Sequence, residues 1–364
     1  MKVLLATGGT AGHIEPALNL ADYLVATDAD TEVVVVGRAE GLESRLVPER
    51  GYPLRTIPAV PMPRKPSKDL ALVPWRVTDS VRRVGAIIGE ERPDVVVGFG
   101  GYVAVPAYVA ARRAGIPLVI HEANARAGIA NRVGARLTRF TAEAVPGSLN
   151  GALYVGMPLR PAIVGLDRAA TRSAARAHFG LDPDRRTLLV FGGSLGAQRL
   201  NQTMSAAAET VRAAGVQVLH AVGDKRAGLG PISEAGVPYV TLDYIDRMDL
   251  AYAAADLAVS RAGAMTCAEL AAWEKEAMAA RDYRPLPVGN GEQALNAAPV
   301  VSAGGGLLID DAAFTPDVVQ GTVLGLLTDD ERLGAMGRAA STYGIRDGVQ
   351  RLAAMVIEAA GSRR

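Results

Sequence analysis

The residues with chemistry to offer stand first in two glycine-rich loops, Ala6-Thr7-Gly8-Gly9-Thr10-Ala11-Gly12-His13 and Gly192-Gly193-Ser194-Leu195-Gly196-Ala197-Gln198. Each follows a short apolar run, Lys2 to Leu5 or Thr187 to Phe191, and each leads into a helical pattern. Glycines at such a turn accept positive φ and let backbone N–H groups approach an anion at the helix N-terminus, where the dipole favours negative charge. One such loop also fits a tight turn with nothing bound; two copies, one heading each half, favour a pair of ligand-binding turns. His13 adds the one side-chain type in these loops whose ordinary range lies near neutrality. Of the other histidines, His178 and His220 fall in a helical and a strand pattern outside these loops. His121 ends a strand beside Glu122, where a structural hydrogen bond is expected.

The elements that must position these loops alternate along the chain. Glu32 to Gly37 is apolar after its first residue, as a parallel strand covered on both faces is, and the alternation continues through strands at Asp94 to Gly98 and Pro117 to His121. Pro16 to Ala26 and Val103 to Ala114 carry helical spacing between them. A two-proline segment at Tyr154 to Pro161 reads as a hinge, and a helix from Arg168 to Gly180 opens the second half. There the second glycine loop leads into a helix to Ala214, and strands are expected at Val216 to Ala221, Tyr239 to Leu242, Leu257 to Ser260 and Gly304 to Ile309. Arg261-Ala262-Gly263-Ala264-Met265-Thr266 enters a helix bearing Glu269, and the C-terminal end is helical and amphipathic. The length of 364 residues suits two domains with a cleft between them. The fold class is therefore α/β, with two Rossmann-like domains whose ligands gather at the carboxyl ends of parallel strands.

Composition narrows the partners. Hydrophobic residues at 49% and charged residues at 21% describe an ordinary globular chain, and a net charge of +1 gives no global pull toward nucleic acid. A single cysteine, Cys267, excludes a disulfide framework. Met1-Lys2 runs directly into the first strand, leaving no room for a signal peptide, and no apolar run reaches the ~18 residues of a spanning helix. A cytoplasmic protein is expected. Pro58 to Pro74 is distinctive, with five prolines and Arg64, Lys65 and Lys68 among Met62, Leu70, Leu72 and Val73. The helical pattern Trp75 to Glu90, carrying Arg76, Arg82 and Arg83, follows it. Two readings stay open for 62–83: a solvated, proline-stiffened loop before a surface helix, or an apolar and basic ledge on an anionic bilayer.

Seven motifs occur in order: Gly8-Gly9-Thr10-Ala11-Gly12-His13, Gly98-Phe99-Gly100-Gly101-Tyr102, His121-Glu122-Ala123-Asn124, Gly156-Met157-Pro158-Leu159-Arg160, Gly192-Gly193-Ser194-Leu195-Gly196-Ala197, Arg261 to Thr266 and Gln293-Ala294-Leu295-Asn296. Together they resemble the MurG family of peptidoglycan glycosyltransferases over nearly the full length. The resemblance implies a GT-B type fold. An acceptor and membrane-side domain would cover 1–160 with a returning helix 342–364, and a UDP-sugar-binding domain 161–341.

It also implies inverting transfer of N-acetylglucosamine from UDP-N-acetylglucosamine (UDP-GlcNAc) to lipid I, giving lipid II, without metal or other cofactor, peripherally at the cytoplasmic membrane face. Cell-division or cell-wall enzymes would be possible partners. On the donor side it implies Thr10, Ala11, Gly12, Asn124, Arg160, Ser194, Leu195, Gly196, Ile245, Ala264, Met265, Thr266, Glu269, Gln293 and Asn296. On the acceptor side it implies Gly100, Gly101 and Tyr102, with His13 as the base. The pattern departs from the family between Trp273 and Val288, which is charged and lacks strand periodicity, with Val288 in place of a histidine. A buried strand is expected to be missing there. The departure keeps two alternatives open: a GT-B relative with another acceptor, or an inactive UDP-sugar-binding scaffold.

Overall fold

The computed structural model describes residues 1–58, 68–193, 197–223, 226, 228–230, 232, 236–277, 285–288 and 292–362; for 68–74, 273–277, 285–288 and 292 it describes the backbone alone. The chain divides into two compact units, Met1–Leu159 with Arg346–Arg364, and Arg160–Ile345.

The first unit is built on strands β1 (Lys2–Ala6), β2 (Glu32–Gly37), β3 (Leu54–Thr56), β4 (Val95–Gly98), β5 (Leu118–Glu122), β6 (Phe140–Glu143) and β7 (Leu153–Tyr154). They form one sheet in the order β3-β2-β1-β4-β5-β6-β7, every pair parallel. Its helices are α1 (Ala11–Thr27), α2 (Glu43–Glu49), α3 (Lys68–Glu91), α4 (Ala104–Arg113) and α5 (Ile129–Gly134). Side chains alternate across a strand, so each apolar run supplies two cores. Val3, Leu5, Val33, Val35, Val95 and Val97 pack with Ile14, Leu18 and Ala21 of α1. The final helix, Gly348–Gly361, closes this same face through Val349, Leu352, Ala353 and Val356. Leu4, Ala6, Val34, Val36, Val96, Leu118 and Ile120 pack on the other face with Val81, Val84 and Ile88 of α3 and with Ala104, Ala107 and Tyr108 of α4.

The second unit repeats the scheme with β8 (Thr187–Phe191), β9 (Gln217–Ala221), β10 (Tyr239–Leu242), β11 (Leu257–Arg261) and β12 (Pro285–Val288), in the parallel order β10-β9-β8-β11-β12. The helices α6 (Pro161–Val164), α7 (Arg168–His178), α8 (Gln198–Ala206), α9 (Ala208–Ala213), α10 (Met248–Ala254), α11 (Ala264–Ala277), α12 (Glu292–Ser302), α13 (Pro316–Val318), α14 (Leu324–Leu327) and α15 (Asp330–Tyr343) complete it, and the closing helix of the first unit is α16. Leu188, Val190, Val218 and Val259 face α8, α9 and α15, while Leu189, Phe191, Leu219 and Ala258 face α7, α10 and α11.

One buried carboxylate anchors the helix α7. Asp256, fully buried just before β11, accepts from Arg168 Nη2 at 2.9 Å, Arg172 Nη2 at 2.6 Å, Arg176 Nη2 at 2.8 Å and the Thr187 amide at 2.8 Å. Arg168, Arg172 and Arg176 recur every fourth residue, so they rise along one face of α7. Burial pushes the Arg176 guanidinium down to about 10, with Asp256 opposing that shift.

Three sequence expectations are corrected. Gly304 to Ile309 is not a strand; Leu307 and Ile309 pack against the core in an irregular segment. The strand expected to be missing before Val288 is present, since β12 pairs with β11 from Ala258–Pro285 to Arg261–Val288. The proline-rich segment is not a loop up to Pro74, because α3 begins at Lys68.

Candidate active site

In the first unit the loops after β2, β1 and β4 lie side by side at the carboxyl ends of adjacent strands, which places them at the point where strand order reverses. Thr10 is the N-cap of α1 in extended conformation, and its carbonyl accepts from the amides of His13 at 3.0 Å and Ile14 at 3.2 Å. Ala11, Gly12 and His13 therefore form the first turn. The Thr7 hydroxyl donates to the His13 carbonyl at 2.7 Å, and Thr10 Oγ1 lies 3.1 Å from His13 Nδ1. The first contact fixes the His13 backbone and the second its imidazole, whose other edge lies over the neighbouring loop: a Cβ added to Gly100 would stand 3.4 Å from His13 Cδ2 and 3.5 Å from Nε2.

Gly100 and Gly101 have φ of +88° and +86°. A Cβ on Gly101 would meet the Gly8 carbonyl oxygen at 2.3 Å, so the two glycine loops touch backbone to backbone. Gly101→Ala is expected to cost about 1–3 kcal/mol of strain and to separate the loops; urea unfolding measures the first, and unchanged stability would contradict the close approach. Tyr102 is exposed.

Behind Gly100 runs a buried hydrogen-bond chain that the sequence reading missed. The Gly100 amide donates to Tyr108 Oη at 3.3 Å, and Tyr108 donates to Asn131 Oδ1 at 2.7 Å. Asn131 Nδ2 then donates to Glu122 Oε2 at 2.8 Å. Glu122 Oε1 accepts from the Asn124 amide at 2.9 Å and its Nδ2 at 3.3 Å. Asn124 is thereby tied to the loop of Gly100 through fully buried groups. Tyr108 fits only because Gly98 and Gly134 flank it; added Cβ atoms would come within 2.0 and 2.6 Å of its ring. A tyrosine inside an alanine-rich helix gives no hint of this in sequence, although the paired glycines could have signalled a large neighbour. His121 is buried, with Nε2 2.9 Å from the Gly156 carbonyl, and burial pushes its pKa down.

The second unit gathers a separate set. Ser194, Leu195 and Gly196 lie outside the described residues; beside them Gly193 has φ of +81°. Arg160 is the N-cap of α6. Ile245, in the loop after β10, is buried in the core with α10. Ala264, Met265 and Thr266 form the first turn of α11, and Glu269 one turn later is buried with its Oε2 accepting from Tyr252 Oη at 2.9 Å. Asn296 Nδ2 donates to the Ala262 carbonyl at 3.3 Å, which draws α12, and Gln293 with it, to the β11–α11 turn. Gln293 Oε1 is buried without a hydrogen-bond partner among the described residues. No three His, Cys, Asp or Glu residues among the described ones stand together as a metal site.

The sequence of each unit matches a known domain. Residues 3–142 match the glycosyltransferase family 28 N-terminal domain and residues 187–352 its C-terminal domain. A UDP-N-acetylglucosamine--N-acetylmuramyl-(pentapeptide) pyrophosphoryl-undecaprenol N-acetylglucosamine transferase of a Nocardioides species is 56% identical over 98% of both chains. The chain belongs to the MurG family of glycosyltransferases. A Streptomyces avermitilis enzyme of the same name is 55% identical to this MurG-family chain over 100% of it and 99% of the relative. MurG of Acinetobacter baumannii superposes on it with a TM-score of 0.74 at 26% identity, covering 98% and 99% of the two chains. The GT-B architecture of the MurG family is thus the architecture of this chain.

Proposed function

We propose that the chain transfers N-acetylglucosamine from UDP-GlcNAc to the undecaprenyl-pyrophosphoryl-N-acetylmuramyl-pentapeptide acceptor, converting lipid I to lipid II. The observation that carries this reading is 56% identity across essentially the whole of a transferase with that name. Inversion in a single displacement needs a base for the attacking hydroxyl, a role that the placement of His13 supports. In the tautomer that donates Nδ1–H to Thr10 Oγ1, Nε2 is left to take the proton on the side of Gly100. The acceptor sugar and diphosphate are assigned to Gly100, Gly101 and Tyr102; the positive φ of the two glycines lets the backbone of this loop approach a ligand closely.

The donor is assigned to residues of the second unit, and Asn124 to the donor sugar. Charge builds on the departing UDP, and the amides of Ser194 to Ala197, leading into α8, with Arg160, are the groups to stabilise it. Thr10, Ala11 and Gly12, at the first turn of α1, complete the donor contacts. The Ile245 backbone contacts the uracil, Ala264 to Thr266 with Gln293 and Asn296 surround the nucleotide and sugar, and buried Glu269 holds the ribose hydroxyls.

Glu269→Gln keeps the shape and removes the charge, so the KM for UDP-GlcNAc is expected to rise about tenfold, the worth of a hydrogen bond to a charged group. Steady-state kinetics check this; an equal rise in the acceptor KM contradicts the assignment.

The reading extends to the bilayer. No helix among the described residues is long and apolar enough to cross a membrane. Helix α3 already buries Val81, Val84 and Ile88, yet Trp75 stays 71% exposed and shares an outward stripe with Arg82, seven residues on. An exposed indole beside arginines suits peripheral contact with an anionic cytoplasmic leaflet. The remaining ledge residues 62–67 lie outside the described residues. The decisive experiment incubates the protein with labelled UDP-GlcNAc and a short-chain lipid I analogue and looks for the disaccharide. UDP-GlcNAc binding without transfer would favour a scaffold; transfer to a different acceptor alone would redefine the substrate.

A further inference from the structure

Glu43 is wholly buried although it opens a short surface helix, and three glycines make room for it. A Cβ added to Gly8, Gly37 or Gly41 would come within 2.7, 2.8 or 2.2 Å of Glu43 atoms. The carboxylate so lodged accepts from the Gly9 amide at 3.4 Å and, through its other oxygen, from Arg38 N at 3.1 Å and Arg38 Nε at 3.4 Å. The guanidinium carbon of Arg38 stands 5.7 Å from the Tyr102 ring centre, and the same ring lies 3.7 Å from a Cβ placed on Gly9. Arg38 is thus held on one edge by a buried carboxylate and against one face by an aromatic ring. Its Nη1 and Nη2 have no partner among the described residues, and the side chain is 24% exposed. Two remaining donors in a planar fork match two oxygens of a phosphate, and because the arm is already positioned, little rotamer freedom remains to be lost on binding.

Resting on the reading above, we propose that Arg38 is the receptor for the acceptor's diphosphate, with Glu43 as the residue that positions it. The fork stands at the same loop cluster as His13, Gly9 and Tyr102, within the unit to which the acceptor is assigned. The donor also carries a diphosphate, so the test separates the two. Arg38→Gln is expected to raise the KM for the lipid I analogue about tenfold or more, the worth of a charge-assisted bidentate contact, while the KM for UDP-GlcNAc stays within about twofold. Arg38→Lys keeps a counter-charge for buried Glu43 but loses the fork, and its acceptor KM should fall between the two.

Calorimetric binding of a short prenyl diphosphate, compared with the monophosphate, reads the same contact without turnover. Wild type should prefer the diphosphate, and Arg38→Gln should narrow that preference. An unchanged preference, an unchanged acceptor KM, or equal rises in both KM values would overturn the proposal. Absence of turnover by wild type would count against the transferase reading and leave the calorimetric comparison to decide on Arg38. Urea unfolding of both variants separates loss of binding from loss of fold.

Discussion

Replacing His13 with alanine is expected to lower kcat on the order of a hundred- to ten-thousandfold, the usual worth of a positioned general base, with the KM for UDP-GlcNAc little changed. The expectation follows from where the ring is held. Thr7 fixes the His13 backbone, Thr10 engages Nδ1, and Nε2 is directed to the loop of Gly100. A base acts on the attacking hydroxyl of the acceptor, so the loss should fall on the proton transfer and not on the nucleotide. The pH profile offers a second readout: a base must be unprotonated, so wild-type kcat should decline on the acid side and the alanine variant should lose that limb. Equal loss of donor binding, or an acid limb that survives the substitution, would remove His13 from the role.

The second large effect concerns stability. Asp256→Ala leaves Arg168 and Arg176 buried without the carboxylate that both share, and removes an acceptor from the Thr187 amide as well. Deleting one partner of a buried pair typically costs about 3–5 kcal/mol, because the remaining charge is stranded away from water. The two tryptophans lie one in each unit, Trp75 and Trp273, so a Trp75→Phe background reports the second unit alone by fluorescence. Urea unfolding in that background should show the loss. A change below about 1 kcal/mol, the scale of an exposed ion pair, would mean that the arginines find water or other acceptors.

Much of the scaffold can be read from the chain because parallel strands are buried on both faces. Runs such as Glu32 to Gly37 and Thr187 to Phe191 carry few other interpretations, and the glycines that follow them mark the turns. Gly304 to Ile309 misleads for the same reason. It is apolar enough to be buried, but burial against helices does not require a ladder, and among the described residues the segment forms no strand of the sheet. Pro285 to Val288 misleads in the opposite sense: two prolines weaken the strand pattern, yet β12 occupies the edge of the sheet, where a missing N–H is tolerated.

Within the site, Gly100, Gly101 and His13 announce themselves through composition. Glu43, Arg38, Tyr108 and Asn131 do not, because what matters in each is a long-range partner. Glu43 sits in an ordinary charged stretch, and only the spacing of Gly37 and Gly41 around it hints that something large must be accommodated.

Helix α16 carries a further consequence for the order in which the protein can be made. Its Val349, Leu352, Ala353 and Val356 complete the face of the first sheet that Val3, Leu5 and Val35 begin. A ribosome delivers β1 first and α16 only after every residue of the second unit. During translation the first unit therefore waits with part of one apolar face, the part beside α1, uncovered, while every residue of the second unit is already synthesised. The unit that is synthesised first is the one that can only finish folding last, and its open face is the part of the nascent chain most in need of protection from aggregation.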